Sequence, residues 1–104
     1  MAYFVVTEQP GPSWDASRPR REQAEWDAHA AFMDALVEDG FVVLGGPVGD
    51  GVRVLLAIEA DGTPAVEARL ADDLWMTMGI LRIATIEPWE ILLDGRSVTR
   101  GQLG

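Results

Sequence analysis

The chain has 104 residues and a formal net charge of -9, and with 48% hydrophobic and 24% charged residues it has the make-up of a folded globular domain, neither disordered nor membrane-spanning. So acidic a chain repels a phosphate backbone, which argues against nucleic acid as a partner. There is no cysteine and all eight basic residues are arginine, which excludes disulfides, thiolate catalysis, zinc–thiolate sites and Schiff bases on lysine.

Ala2 to Glu8 reads as a first strand, apolar on both alternating sets apart from its far end. It starts without a basic leader, and no apolar stretch reaches transmembrane length, so the expectation is a cytoplasmic protein with no membrane association. Gln9 to Ser17, with Pro10, Gly11, Pro12 and Trp14, reads as a loop. A helix is predicted from Arg20 to Gly40, with Pro19 at its start and Gly40 as its C-terminal cap. Trp26, Ala30, Met33 and Val37 recur at three- and four-residue steps and form the stripe expected to face the core. His29, the single histidine, falls beside that stripe, with Glu22 and Glu25 toward the N-terminus. Arg18, Arg20 and Arg21 crowd the helix start, either as a solvated basic cluster or with one of them contacting an anionic ligand.

Phe41 to Gly46 and Val52 to Glu59 read as the second and third strands, joined through Asp50-Gly51, a hairpin signal. Thr63 as cap and Pro64 at the first helical position start a short helix from Ala65 to about Asp72. Asp73 to Gly79 reads as a connection, and Ile80 to Leu93 as a last strand that Pro88 confines to an edge or breaks at a bulge. Residues 1–94 form one domain in this reading, and 95–104 a polar tail.

The order strand, helix, strand, strand, helix, strand predicts an α+β fold: a ferredoxin-like βαββαβ sandwich with an antiparallel four-stranded sheet. Two helices cover one face only. The first and third strands are apolar on both faces, so a second copy of the chain is expected on the open face, giving a homodimer.

Trp26 with His29-Ala30-Ala31-Phe32-Met33, then Gly45-Gly46-Pro47, Asp72-Asp73-Leu74-Trp75 and Pro88-Trp89, together resemble the YCII-related (YciI-like) domain family. The resemblance runs from the first strand to Trp89. It implies a dimeric α+β barrel type of assembly and a cleft in which His29 and Asp73 lie together. The family's turn has proline between the aspartate and the aromatic residue; here Leu74 stands between Asp73 and Trp75. Many members of that family have no assigned reaction, a few are linked to dehydrochlorination or to metabolism of aromatic and lactone compounds, and the resemblance by itself selects no substrate.

Histidine suits general-base work, and a carboxylate on its other nitrogen fixes the tautomer, so His29 and Asp73 are the candidate catalytic pair. Two alternatives stand beside it. His29 closes the edge of the core with Glu25 as its partner, or Asp72 takes the place of Asp73. Trp26, Trp75, Met78, Gly46 and Pro47 are the candidate substrate-binding residues, the aromatic and thioether groups as walls and the Gly-Pro segment as a source of backbone amides. The same residues equally suit plain core packing and strand bends. One histidine among scattered acids offers no metal-ligand spacing, no phosphate-cradling glycine loop follows a strand, and Ser13, Ser17 and Ser97 lack a second histidine. The functional expectation is a protein without cofactor or metal that moves a proton on a small cyclic or aromatic compound, as an isomerase or eliminating lyase. The alternative is a dimeric small-molecule-binding or accessory protein.

Overall fold

The computed structural model describes residues 2–96. Strand β1 (Ala2–Pro10) is followed by a 3-10 turn (Arg20–Glu22), α1 (Trp26–Glu38), β2 (Val42–Val48), β3 (Arg53–Ala60), α2 (Thr63–Ala71), α3 (Leu74–Thr77) and β4 (Leu81–Trp89). The strands make one antiparallel sheet in the order β2-β3-β1-β4. The fold is therefore α+β. Among the described residues no helix is long and apolar enough to cross a membrane. The predicted tail lies outside the described residues except for Gly95 and Arg96, and Ser97 lies outside them too.

Alternation sorts the two sheet faces. Phe4 and Val6 of β1 and Val54, Leu56 and Ile58 of β3 point to one side, where Leu36 of α1 and Val66 and Leu70 of α2 complete a single core cluster. Truncating one of these side chains to alanine costs about 2–5 kcal/mol by transfer and cavity formation. On the opposite side Leu44, Ala57 and Val5 stand in one cross-strand row. There Leu44, Leu55 and Trp89 are 57%, 41% and 43% exposed.

The long first helix is corrected to two pieces. Its first turn is 3-10, and the chain breaks before Trp26, where Glu25 takes a left-handed conformation at φ 59°. The cause is Gln23, 4% exposed, which is drawn inward. Its amide donates to the carbonyls of Asp15 and Arg18 and accepts from the Asp15 N–H, so it ties down the preceding loop instead of continuing a helix. The residues of α1 that face the sheet also differ from the predicted stripe. His29 and Leu36 form the buried stripe with Phe32 and Met33 beside them, whereas Val37 is 53% exposed.

Gly40 ends α1 as expected. At φ 78° it donates to Val37 O, and Phe41 donates to Leu36 O, the paired bonds of a Schellman motif. Strand β1 runs two residues past its predicted end, and β4 stops at Trp89 rather than Leu93. β4 is an edge strand, with Pro88 opposite Phe4, and the irregularity in its pairing falls between Thr7 and Glu8 of β1 rather than at Pro88. The cap of α2 is Gly62 instead of Thr63, and the segment after Asp73 holds the short helix α3 where a plain connection was predicted.

Candidate functional site

Asp73 begins the site. It is the N-cap of α3, its Oδ1 accepting the Trp75 N–H at 3.0 Å, and is 1% exposed. From there both carboxylate oxygens reach His29 Nδ1 of α1, at 3.0 and 2.8 Å. The imidazole lies flat on the Trp75 indole, centroids 3.9 Å apart and planes 3° from parallel. Trp75 is itself fully buried and donates its indole N–H to Ala24 O at 2.7 Å, so the plate beneath the imidazole is fixed at both ends. Trp26 leans against both rings, its centroid 5.8 Å from His29 and 5.7 Å from Trp75.

This geometry separates the rival partners. Glu25 is exposed and gives His29 only a backbone bond, as the first carbonyl of α1. Asp72 is exposed at the end of α2. An ionised carboxylate offers acceptors only, so with Asp73 ionised and the imidazole neutral, Nδ1 carries the hydrogen and Nε2 the lone pair. Among the described residues Nε2 has no hydrogen-bond partner, and His29 lines a cavity of about 260 Å³.

The cavity lies between α1 and the helix-facing side of the sheet. Trp26, Met33, Val37, Val42, Val54, Leu56 and Leu81 give it apolar walls; Glu8, Arg20, His29 and Asp34 are its polar members. Gly45, Gly46 and Pro47 border it from β2, where they pair with Leu56, Leu55 and Val54 as part of the ladder. Gly45 has a steric reason to lack a side chain, since a Cβ there would meet Leu56 Cδ2 at 2.6 Å. Of the predicted binding residues, Trp26, Gly46 and Pro47 thus border the cavity with His29. Trp75 lies behind the histidine, and Met78 packs with Trp75, Ile80 and Leu81 in a second cluster instead of on the cavity wall. Trp89 stands on the other face of the sheet.

Two residues were missed or left unresolved by the sequence. Glu8 is 1% exposed, on the same face of β1 as Phe4 and Val6, and its Oε2 has no hydrogen-bond partner among the described residues. Leaving such an oxygen unpaired costs about 1–3 kcal/mol. Burial raises the Glu8 pKa from 4.5 to about 7; the charge of Asp73 adds to the rise and that of Arg20 opposes it. The period-two set Phe4, Val6, Glu8 was the available signal, because the alternation that buries the first two also buries the third. Arg20 separates from its neighbours: Arg18 pairs with Asp15 at 3.4 Å and Arg21 lies over the Trp26 ring, while Arg20 enters the cavity wall. Its Nη2 donates to Val52 O at 2.9 Å and its buried Nε is unpartnered among the described residues. Within the described residues no three potential metal-ligating side chains converge.

No protein-family model matches the chain, and no curated protein matches it at a significant level.

Proposed function

We propose that this chain is a YCII-like protein that transfers a proton on a small cyclic or aromatic compound without a cofactor, with His29 as general base and Asp73 as the residue that orients it. The observation that carries this reading is the buried Nδ1–carboxylate contact at 2.8 Å, on a histidine that lines the cavity and whose second ring nitrogen has no partner among the described residues. Stacking on Trp75 holds the ring in one plane, so the base is positioned before a substrate arrives. In the ferredoxin-like, dimeric form of the proposal, the order β2-β3-β1-β4 supplies the sandwich connectivity. A second copy then covers the apolar row of Leu44, Ala57 and Val5 on the open face.

The test is carbon-bound hydrogen exchange in D2O, followed by NMR over a panel of small cyclic ketones, lactones and enones. Wild type is expected to accelerate exchange at the carbon beside the carbonyl, His29→Ala to lose at least about 100-fold and Asp73→Asn a smaller factor. Compounds that bind the cavity yet show no exchange above background would sink the enzymatic reading.

One observation favours a second reading, a non-catalytic binding or accessory protein: the cavity wall is mostly apolar and His29 is only 7% exposed. Ligand-induced thermal stabilisation separates the two, because a pure binder keeps its full stabilisation without the Asp73 contact, while equal stabilisation of wild type and His29→Ala would remove His29 from the binding site altogether.

A further inference from the structure

We propose that Glu8 and Arg20 form a carbonyl-binding subsite in the His29 cavity, the Glu8 carboxyl in its neutral form donating one hydrogen bond and the Arg20 Nε–H the other to a single ligand oxygen. The inference rests on the proton-transfer reading of His29 and narrows its substrates to cyclic ketones, enones or lactones with an acidic hydrogen next to the carbonyl.

The structural basis is a pair of unmet needs in one wall. Glu8 Oε2 and Arg20 Nε are the only buried side-chain polar atoms without a partner among the described residues, and both belong to residues that line this cavity. Native interiors seldom leave such atoms unsatisfied, and two of them on residues of one cavity wall are the reason for placing a ligand oxygen there. Arg20 does not turn to Glu8 to satisfy itself. Its Nη2 is held by the carbonyls of Val52 and Gly51 at 2.9 and 3.4 Å, which fixes the guanidinium while Nε stays unused. Val54 and Ile83 flank Glu8 across the sheet, so neither neighbouring strand offers it a polar partner.

The charges around Glu8 agree with a neutral carboxyl. Asp73 before α3 disfavours its ionisation, Arg20 from the 3-10 turn favours it, and burial outweighs Arg20. His29 and Asp34 are the other titratable groups on the cavity, both from α1. A carboxylic acid kept neutral in an apolar site is a strong donor to an oxygen that gains negative charge.

Chemically the two halves of the cavity then divide one reaction. His29 Nε2 takes the proton from carbon, the C–H electron pair becomes the new carbon–carbon double bond, and the carbonyl π pair moves onto oxygen under the hydrogen bonds of Glu8 and Arg20. Return of the proton from the imidazolium to the same or a conjugated carbon restores the carbonyl and both residues. No oxidant or second reactant is needed.

The probe is 2-cyclohexenone labelled with 13C at the carbonyl, observed by NMR with the full chain. In the wild-type complex the carbonyl resonance is expected to lie downfield of the free ketone, and the displacement to fade as the pH rises through about 7 and Glu8 loses its proton. Glu8→Gln, which retains a donor of the same shape, is expected to keep the displacement on both sides of that pH. Glu8→Leu is expected to reduce it below about pH 7 and Arg20→Met at every pH, with thermal melts reporting that each variant is folded. Absence of binding at millimolar ketone, an undiminished displacement in Glu8→Leu, or the same pH dependence in wild type and Glu8→Gln overturns the subsite. The two readings fail separately. A normal carbonyl displacement without hydrogen exchange condemns the catalytic role of His29 alone, and exchange that needs His29 but ignores Glu8 condemns this subsite alone.

Discussion

Asp73 and Glu8 are both buried acids, one bonded to His29 and the other lining the same cavity as His29, and their hydrogen bonds set them apart. Asp73 is satisfied by the Trp75 N–H and by His29, so removing it strands two donors and uncaps α3. Asp73→Ala is expected to cost about 2–4 kcal/mol in denaturant unfolding, and Asp73→Asn clearly less, because an amide oxygen still accepts one of the two bonds. Glu8 is expected to act with the opposite sign. Its pKa in the native state lies above the ordinary value of 4.5, so the folded chain holds the proton more tightly than the unfolded one. Stability from this group is full below about pH 4.5, falls as the pH rises toward 7, and is flat above that. The loss is of order 3 kcal/mol, and Glu8→Gln should abolish the slope and exceed wild type in stability at alkaline pH. Urea midpoints measured at pH 5 and pH 8 decide it; parallel behaviour of wild type and variant would show that Glu8 does not carry the slope.

At the scale of elements, the site depends on how two helices end. α1 closes in a Schellman motif at Gly40, and α3 closes in the same way: Gly79 at φ 74° donates to Met76 O and Ile80 to Trp75 O. The second motif lets a four-residue helix hold both Asp73 and Trp75 while the chain turns into β4. A Cβ at Gly40 would meet nothing within 4 Å, so Gly40→Ala isolates the backbone cost, expected at about 1–2 kcal/mol in thermal unfolding. Leu74 occupies the first position of α3, and its predecessor Asp73 is extended, with φ -66° and ψ 127°, a conformation proline permits in the residue before it. Leu74→Pro is therefore expected to stabilise by about 0.4–1 kcal/mol, raising the melting temperature by a few degrees. A lower melting temperature would mean that the Leu74 N–H or its side chain contributes more than the exposed position suggests. The two helix ends differed in legibility. Gly40 announced its turn because a helix that must stop favours glycine there. Gln23 announced nothing, because its effect comes from carbonyls of a loop that only the folded chain brings near.

Across the whole molecule the α+β class and the four-stranded antiparallel sheet were legible, since alternation of Val54, Leu56 and Ile58 with Leu55 and Ala57 shows two distinct faces. The number of strands followed from the same pattern. The meeting of His29 with Asp73, 44 residues apart in sequence, came from resemblance rather than periodicity, because no local pattern encodes a contact between a helix face and a distant cap. Glu8 was hidden by the habit of reading a polar strand end as solvent-facing. The apolar row on the open sheet face carries the dimer proposal. Leu55→Glu, at a position 41% exposed, is expected to leave the fold intact while converting a dimer to monomer in multi-angle light scattering at micromolar concentration. An unchanged mass for the variant, or a monomeric wild type, would remove the second copy from that face.

The stack of His29 on Trp75 also gives the protein an optical reporter. An imidazole stacked 3.9 Å from an indole is in direct contact with the emitting ring, so the emission of Trp75 is expected to respond to what touches that imidazole. Of the chain's four tryptophans, Trp75 is the one in parallel contact with the histidine, and its burial protects it from solvent quenching. A compound that contacts His29 in the cavity is then expected to change this emission, with neither a label nor a chromogenic substrate.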